Sequence, residues 1–233
     1  MSIARAERLI VALDVPTPAE ARALVEKLGD SATFYKVGLE LFSSGGGMEL
    51  IGWLAKRGNK IFADLKFYDI PETVARATAN VASSGATFLT VHGHRSVMDA
   101  AAKQKGALKI LAVTVLTSFD ARDLAEMRSS ATVEELVLAR ARGALETGCD
   151  GVIASGMEAA KLKAEFGSRL LVVTPGIRPA GSDAGDQKRA VDVAQAFKAG
   201  ADHIVVGRPI RAAPDPRAAA LAIQKTIQGI FAA

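Results

Sequence analysis

Short, nearly continuous apolar runs rich in Val, Ile and Leu recur along the chain. They alternate with Ala-rich stretches whose apolar residues fall at helical spacing. The runs are Leu9 to Val15, Phe34 to Leu41, Lys60 to Phe67, Phe88 to Gly93, Lys109 to Leu116, Gly151 to Ser155, Arg169 to Ile177 and His203 to Ile210. Between them, helical spacing predicts helices over Pro18 to Leu28, Met48 to Arg57, Thr73 to Ser84, Val133 to Thr147 and Val191 to Ala199. Strands apolar on both sides belong to a parallel sheet covered on both faces. Eight such alternations in 233 residues predict a closed (β/α)8 barrel, a TIM barrel, because a doubly wound sheet usually needs fewer. Gly58, Gly85, Gly148 and Gly200 each stand where a helix should end, which fits left-handed caps. No shift in composition divides the chain, so residues 1–233 read as one barrel domain. The least hydrophobic stretch, Arg178 to Arg189, follows the seventh run and reads as a mobile loop.

Composition narrows the function. With 49% hydrophobic and 23% charged residues, the chain is neither disordered, collagen-like nor a coiled coil. Cys149 is the single cysteine, which excludes an intramolecular disulfide and a Cys-based zinc site. The net charge of +4 is spread singly among acidic residues, and aromatics are only 5%, so a basic stripe for nucleic acid is missing. A small anionic ligand suits that balance better. The apolar run from Leu9 stops at Asp14, too short for a signal-peptide core, and no run approaches the roughly 18 residues of a membrane span. A cytoplasmic protein without a membrane partner is expected.

The charged residues in this apolar frame carry the candidate chemistry. In a barrel the site lies at the C-terminal strand ends. In KIFADLKFYDIPET, Asp64 and Lys66 are two apart and should share a strand side, with Asp69 in the following turn. Asp14 ends the first run and Lys36 lies in the second. Asp64 and Lys66 alone would also suit a structural ion pair, but such a pair needs no second lysine and no third aspartate. The segments Thr174 to Arg178 and Val206 to Arg208 fall at the seventh and eighth strand ends, where glycine and arginine together suit a phosphate. His92 and His94, two apart, raise a metal site with Asp64 as a further ligand; a donor role for one and a helix start at the other fit better. Cys149 reads as a small core residue, and Thr117 and Ser118 as caps or ligand contacts.

Taken together, these motifs resemble the orotidine 5′-phosphate decarboxylase family. Ile61 to Val74 carries Asp-x-Lys-x-x-Asp followed by Ile-Pro-x-Thr, and the likeness runs from LIVALDV through FYKVGLE and Leu116-Thr117-Ser118 to TPGIRP, GDQKR and VVGRPI. The sequence departs at Tyr68 and Glu72, where many members have His and Asn, and in HGHRS after the fourth run. The resemblance implies loss of CO₂ from orotidine 5′-phosphate to give uridine 5′-phosphate in pyrimidine biosynthesis, with no cofactor and no metal. It further implies that Lys66 protonates C6 beside Asp64, Asp69 and Lys36, and that Asp14 and Lys36 hold the ribose. Thr117 would meet the pyrimidine, and Gln187, Gly207 and Arg208 the phosphate, with Arg178 at the base of a closing loop. Ile70, Pro71 and Pro175 complete the implied substrate set. Asp69 and Thr73 would come from the second subunit of a homodimer. Two other readings stay open at this point: another phosphosugar barrel enzyme, such as a metal-dependent epimerase or 3-keto-6-phosphogulonate decarboxylase using His92 and His94, and a non-catalytic barrel that binds a phosphorylated ligand.

Overall fold

The computed structural model describes residues 3–126, 128–178 and 191–232. Its eight parallel strands pair in chain order, and the first closes on the last. They are β1 (Leu9–Ala12), β2 (Phe34–Gly38), β3 (Lys60–Phe67), β4 (Phe88–His92), β5 (Lys109–Val113), β6 (Gly151–Ile153), β7 (Leu171–Thr174) and β8 (His203–Val206). Among the described residues the helices are α1 (Pro18–Leu28), α2 (Leu39–Ser43), α3 (Gly47–Lys56), α4 (Pro71–Ser83), α5 (Arg95–Lys103), α6 (Ala121–Glu126), α7 (Val133–Glu146), α8 (Ala159–Phe166), α9 (Val193–Lys198), α10 (Arg208–Arg211) and α11 (Pro216–Ile230). The predicted (β/α)8 barrel is therefore the observed architecture.

Strand periodicity of two explains why both faces are apolar. Outward residues such as Val11, Tyr35, Ile61, Leu89 and Ile204 pack under the helices, while Ile10, Phe34, Phe62, Phe88, Leu111, Val173 and Val205 fill the barrel. The lower interior is an aromatic floor. Phe34 and Phe62 lie 5.0 and 6.0 Å from Phe88, ring centre to ring centre, and His203 meets Phe34 and Phe88 edge-on at 5.8 and 5.3 Å. Burial pushes His203 down to about 4, although Nδ1 lies 2.8 Å from the Glu7 carbonyl. The ring is thus neutral, with Nδ1–H donating.

Helix ends follow local chemistry. At the start of α7, Thr132 and Glu135 form a reciprocal capping box. At its end Gly148 turns left-handed (φ 82°), letting Gly148 N–H reach Leu145 O (3.2 Å) and Cys149 N–H reach Ala144 O (2.9 Å). Gly58, Gly85 and Gly200 have positive φ in the same place, as their spacing predicts. Cys149 is buried, and burial pushes its thiol up to about 11.

The strands stop earlier than the apolar runs. Leu41 belongs to α2 and Ile210 to α10, and Val115 and Leu116 lie beyond β5. Apolar character continues there because Leu41 and Ile210 are buried in the outer layer of the core while Val115 and Leu116 line the mouth, and periodicity cannot separate either role from a strand. Conversely, α4 begins at Pro71, two residues before the predicted start, since proline's fixed φ suits a first helical turn. The predicted mobile loop lies, beyond Arg178, outside the described residues.

Candidate active site

Two residues above the aromatic floor, the inward positions change from apolar to charged or polar. Lys36 follows Phe34, Asp64 follows Phe62, and Thr90 follows Phe88. Lys36 Nζ is buried between carboxylates, 2.7 Å from Asp14 Oδ1 and 3.7 Å from Asp64 Oδ2. Lys66 Nζ lies 2.9 Å from Asp64 Oδ1. The result is an alternating chain, Asp14, Lys36, Asp64, Lys66, in which each inner charge faces two of opposite sign. Such mutual pairing makes burial tolerable. Burial alone would raise the Asp64 carboxyl; the Lys36 and Lys66 ammoniums, with hydrogen bonds from Lys66 and Thr90, outweigh it and hold Asp64 below its ordinary value.

The simple expectation that Asp64 and Lys66 share one side of a regular strand needs correction. Between Ala63 and Phe67, β3 advances four residues while β4 advances two, from Leu89 to Val91. Lys66 takes φ 49°, a left-handed backbone that costs a non-glycine residue energy and clusters at functional sites. This bulge, not the pleat alone, turns the Lys66 ammonium back onto Asp64.

The charges open into a cavity of about 330 Å³ over the C-terminal strand ends. Asp14, Lys36, Asp64, Lys66, Thr117, Pro175, Arg178, Gly207 and Arg208 all line it. Phe62, Val113, Val115, Ile153 and Val205 supply an apolar wall. Arg208 opens the single turn α10 directly after Gly207, the place where barrels commonly hold phosphate. Arg178 Nη1 donates to the Ile177 carbonyl at 2.9 Å, and its backbone N–H to Val191.

Other expected residues stand apart. Asp69, Ile70, Pro71 and Thr73 are exposed and do not line the cavity of their own chain; the Asp69 carboxylate accepts the Ile70 N–H at 2.6 Å. Gln187 lies outside the described residues. His92 and His94 both pack against the Tyr68 ring, at 4.9 and 4.8 Å. Burial first, then the Arg140 cation, lowers both imidazoles. With Tyr68 and Arg140 they line a separate cavity of about 180 Å³. Among the described residues no group of three or more His, Cys, Asp and Glu is arranged to hold a metal ion, and no helix is long and apolar enough to cross a membrane.

The model of the orotidine 5′-phosphate decarboxylase / HUMPS family matches residues 7–223. The chain belongs to this family. Among curated family members, orotidine 5′-phosphate decarboxylase of Methylococcus capsulatus is 56% identical over 229 residues, 98% of this chain and 95% of that protein. That of Rhodopseudomonas palustris (strain BisB5) is 54% identical over 93% of each. The crystal structure of orotidine 5′-phosphate decarboxylase from Lactobacillus acidophilus superposes with a TM-score of 0.85 at 39% identity, covering 95% of this chain and 99% of that one.

The structure also brings forward residues that pattern reading passed over. Thr90 is fully buried and bonds both Asp64 and the Lys66 backbone. A hydroxyl two positions after Phe88, level with Asp64, was its signal in the sequence. Arg211, three residues after Arg208 and so on the same side of α10, also lines the cavity, and its buried Nε has no hydrogen-bond partner among the described residues. Gly38 reveals itself only in three dimensions, since a Cβ there would lie 2.8 Å from Lys36 Nζ.

Proposed function

We propose that this barrel decarboxylates orotidine 5′-phosphate to uridine 5′-phosphate, as a cofactor-free carboxy-lyase of pyrimidine biosynthesis. The observation that carries the reading is the alternating chain Asp14, Lys36, Asp64, Lys66 facing one cavity with Arg208 at its other rim. Simple ligand binding needs no such alternation.

In the reaction the bond between C6 and the carboxylate breaks, CO₂ leaves, and the electron pair remains on C6. The Lys66 ammonium supplies the fixed positive charge that stabilises that pair, and it then gives C6 a proton. Asp64 orients Lys66 and faces the departing carboxylate. Two like charges about 4 Å apart repel by about 4 kcal/mol at an effective dielectric near 20. Enzymatic accelerations draw on up to roughly 23 kcal/mol, so repulsion is a minor contributor and preorganised charge supplies more.

Asp14 and Lys36 hold the ribose hydroxyls, Thr117 meets the pyrimidine, and Pro175 contributes to the wall. Gly207 and Arg208 take the phosphate, joined by Arg178, Gln187 and the second guanidinium of Arg211. Asp69, Ile70, Pro71 and Thr73 serve the cavity of a neighbouring copy in a homodimer. Their exposure on their own chain supports this assignment. The enzyme works in the cytoplasm on a small nucleotide, without nucleic acid or membrane.

The test is a spectrophotometric assay with orotidine 5′-phosphate, run with and without a chelator. Turnover insensitive to chelator is expected. Absence of turnover, or turnover lost to chelator and restored by zinc or magnesium, would overturn the proposal.

A further inference from the structure

We propose that Thr90 is a positioning residue for the reaction, a hydroxyl that locks the Lys66 ammonium and the Asp64 carboxylate into one geometry. The inference rests on the decarboxylase reading above for its kinetic consequence, though not for its structural basis.

The Thr90 side chain lies at an inward position of β4 and is inaccessible to solvent. Its Oγ1 is 3.0 Å from the Lys66 backbone nitrogen and 2.9 Å from Asp64 Oδ1. The direction of each bond is forced. A backbone N–H can only donate, so Oγ1 accepts from Lys66. A carboxylate can only accept, so the hydroxyl proton points at Asp64. Asp64 Oδ1 then receives two donors, Thr90 Oγ1 and Lys66 Nζ at 2.9 Å. One hydroxyl therefore ties the backbone and, through the carboxylate, the side chain of the same lysine.

The tie sits where the backbone most needs one. Lys66 is left-handed, and β3 is out of register with β4 between Ala63 and Phe67. Leucine or valine at position 90 would leave the Lys66 N–H buried without this partner, and the strained turn could relax toward a regular strand. The ammonium would then be carried off the point where C6 must be protonated. Misplacement by about 1 Å is enough to cost on the order of a hundredfold in rate.

The experiment compares Thr90→Val, which keeps the shape, Thr90→Ala, which removes packing as well, and Thr90→Ser, which keeps the hydroxyl. In Val and Ala, kcat should fall roughly ten- to hundredfold, the loss expected for one hydrogen bond to a charged group. Affinity for uridine 5′-phosphate should stay within about twofold, because only the transition state uses the placed proton. Ser should recover most of kcat. A second readout needs no substrate: the Asp64 carboxyl, followed by NMR, should titrate higher in Thr90→Val. Asp64 faces Lys66 from its own strand, Lys36 from β2 and Thr90 from β4, with Asp14 beyond Lys36, and only the Thr90 donor is removed. Unchanged kcat in folded Val or Ala protein, or a Ser variant as slow as Val, would overturn the proposal. If the parent itself does not turn over orotidine 5′-phosphate, the functional reading fails, and an unmoved Asp64 titration would then refute the Thr90 assignment separately.

Discussion

Replacing Gly38 by alanine tests whether the placement of Lys36 sets the rate. The backbone at Gly38 (φ −89°, ψ 176°) suits any residue, so no strain arises from the main chain. An alanine Cβ would instead sit 2.8 Å from Lys36 Nζ and 3.0 Å from Asp14 Oδ1. To reach an ordinary contact of about 3.6 Å the ammonium must retreat by about 0.8 Å. Drawing it from 3.7 Å to about 4.5 Å from Asp64 weakens that attraction from about 4.5 to about 3.7 kcal/mol at an effective dielectric near 20. The same retreat from Asp14, starting at 2.7 Å, costs about 1.4 kcal/mol on that scale, and about half as much once the 42% exposure of Asp14 is allowed for. The two losses, with the full retreat counted against each carboxylate, give up to about 1.5 kcal/mol, or up to about tenfold in kcat/KM. Steady-state decarboxylation of orotidine 5′-phosphate measures this, with the melting temperature as control, expected within a few degrees of the parent. A kcat/KM within twofold of the parent would show that the barrel accepts the methyl without moving Lys36, and the reasoning would be wrong.

Lys66→Ala should abolish turnover while uridine 5′-phosphate still binds; a variant keeping a tenth of the parent kcat, a loss of only about 1.4 kcal/mol, would remove Lys66 from the centre of the mechanism. Arg208→Ala should depress kcat/KM strongly for the phosphorylated substrate and hardly at all for orotidine itself, and equal losses on both would place Arg208 elsewhere. Lys66→Ala and Asp69→Ala proteins, each nearly inactive, should regain about a quarter of parent activity when co-refolded in equal amounts, because half the dimers are mixed and each of those holds one intact site; no recovery despite demonstrated mixed dimers would refute a site shared between subunits. Stability should fall as pH drops from 6.5 toward 4, by up to about 3 kcal/mol, because the unfolded chain takes up a proton that His203 in the floor refuses. Urea midpoints for His203→Asn should show a flatter slope over that window, the remaining slope coming from His92 and His94, which are also lowered, and near pH 4 from Asp64.

The barrel was legible because its strands are buried on both faces, which writes eight apolar runs into the sequence, and because glycines mark the helix ends. Strand limits were less so, since Val115 and Leu116 are as apolar as the strand they follow but line the mouth. The charged residues of the site stood out against that apolar background, and Asp14, Lys36, Asp64 and Lys66 do meet. What spacing could not show was how Lys66 reaches Asp64, because a bulge with a left-handed lysine follows from pairing between β3 and β4, not from β3 alone. Gly38 was hidden for a similar reason: its constraint comes from a lysine two residues away folding back over it. Asp69, Ile70, Pro71 and Thr73 are exposed and do not line the cavity of their own chain, and a single chain's pattern carries no mark of the role proposed for them toward a second copy.

The aromatic floor has a consequence for how such a barrel can diversify. Phe34, Phe62, Phe88 and His203 fix the lower interior, while the next inward residues of three of those strands, Lys36, Asp64 and Thr90, are charged or polar and contact one another through Asp64. One strand thus holds a permanent foundation and an exchangeable fitting two residues apart. Mutations in the upper ring can alter the charge pattern with little disturbance below, whereas a change in the floor disturbs rings packed together from β2, β3, β4 and β8. The fold can therefore hand a lineage new chemistry through a few substitutions at one depth of the barrel.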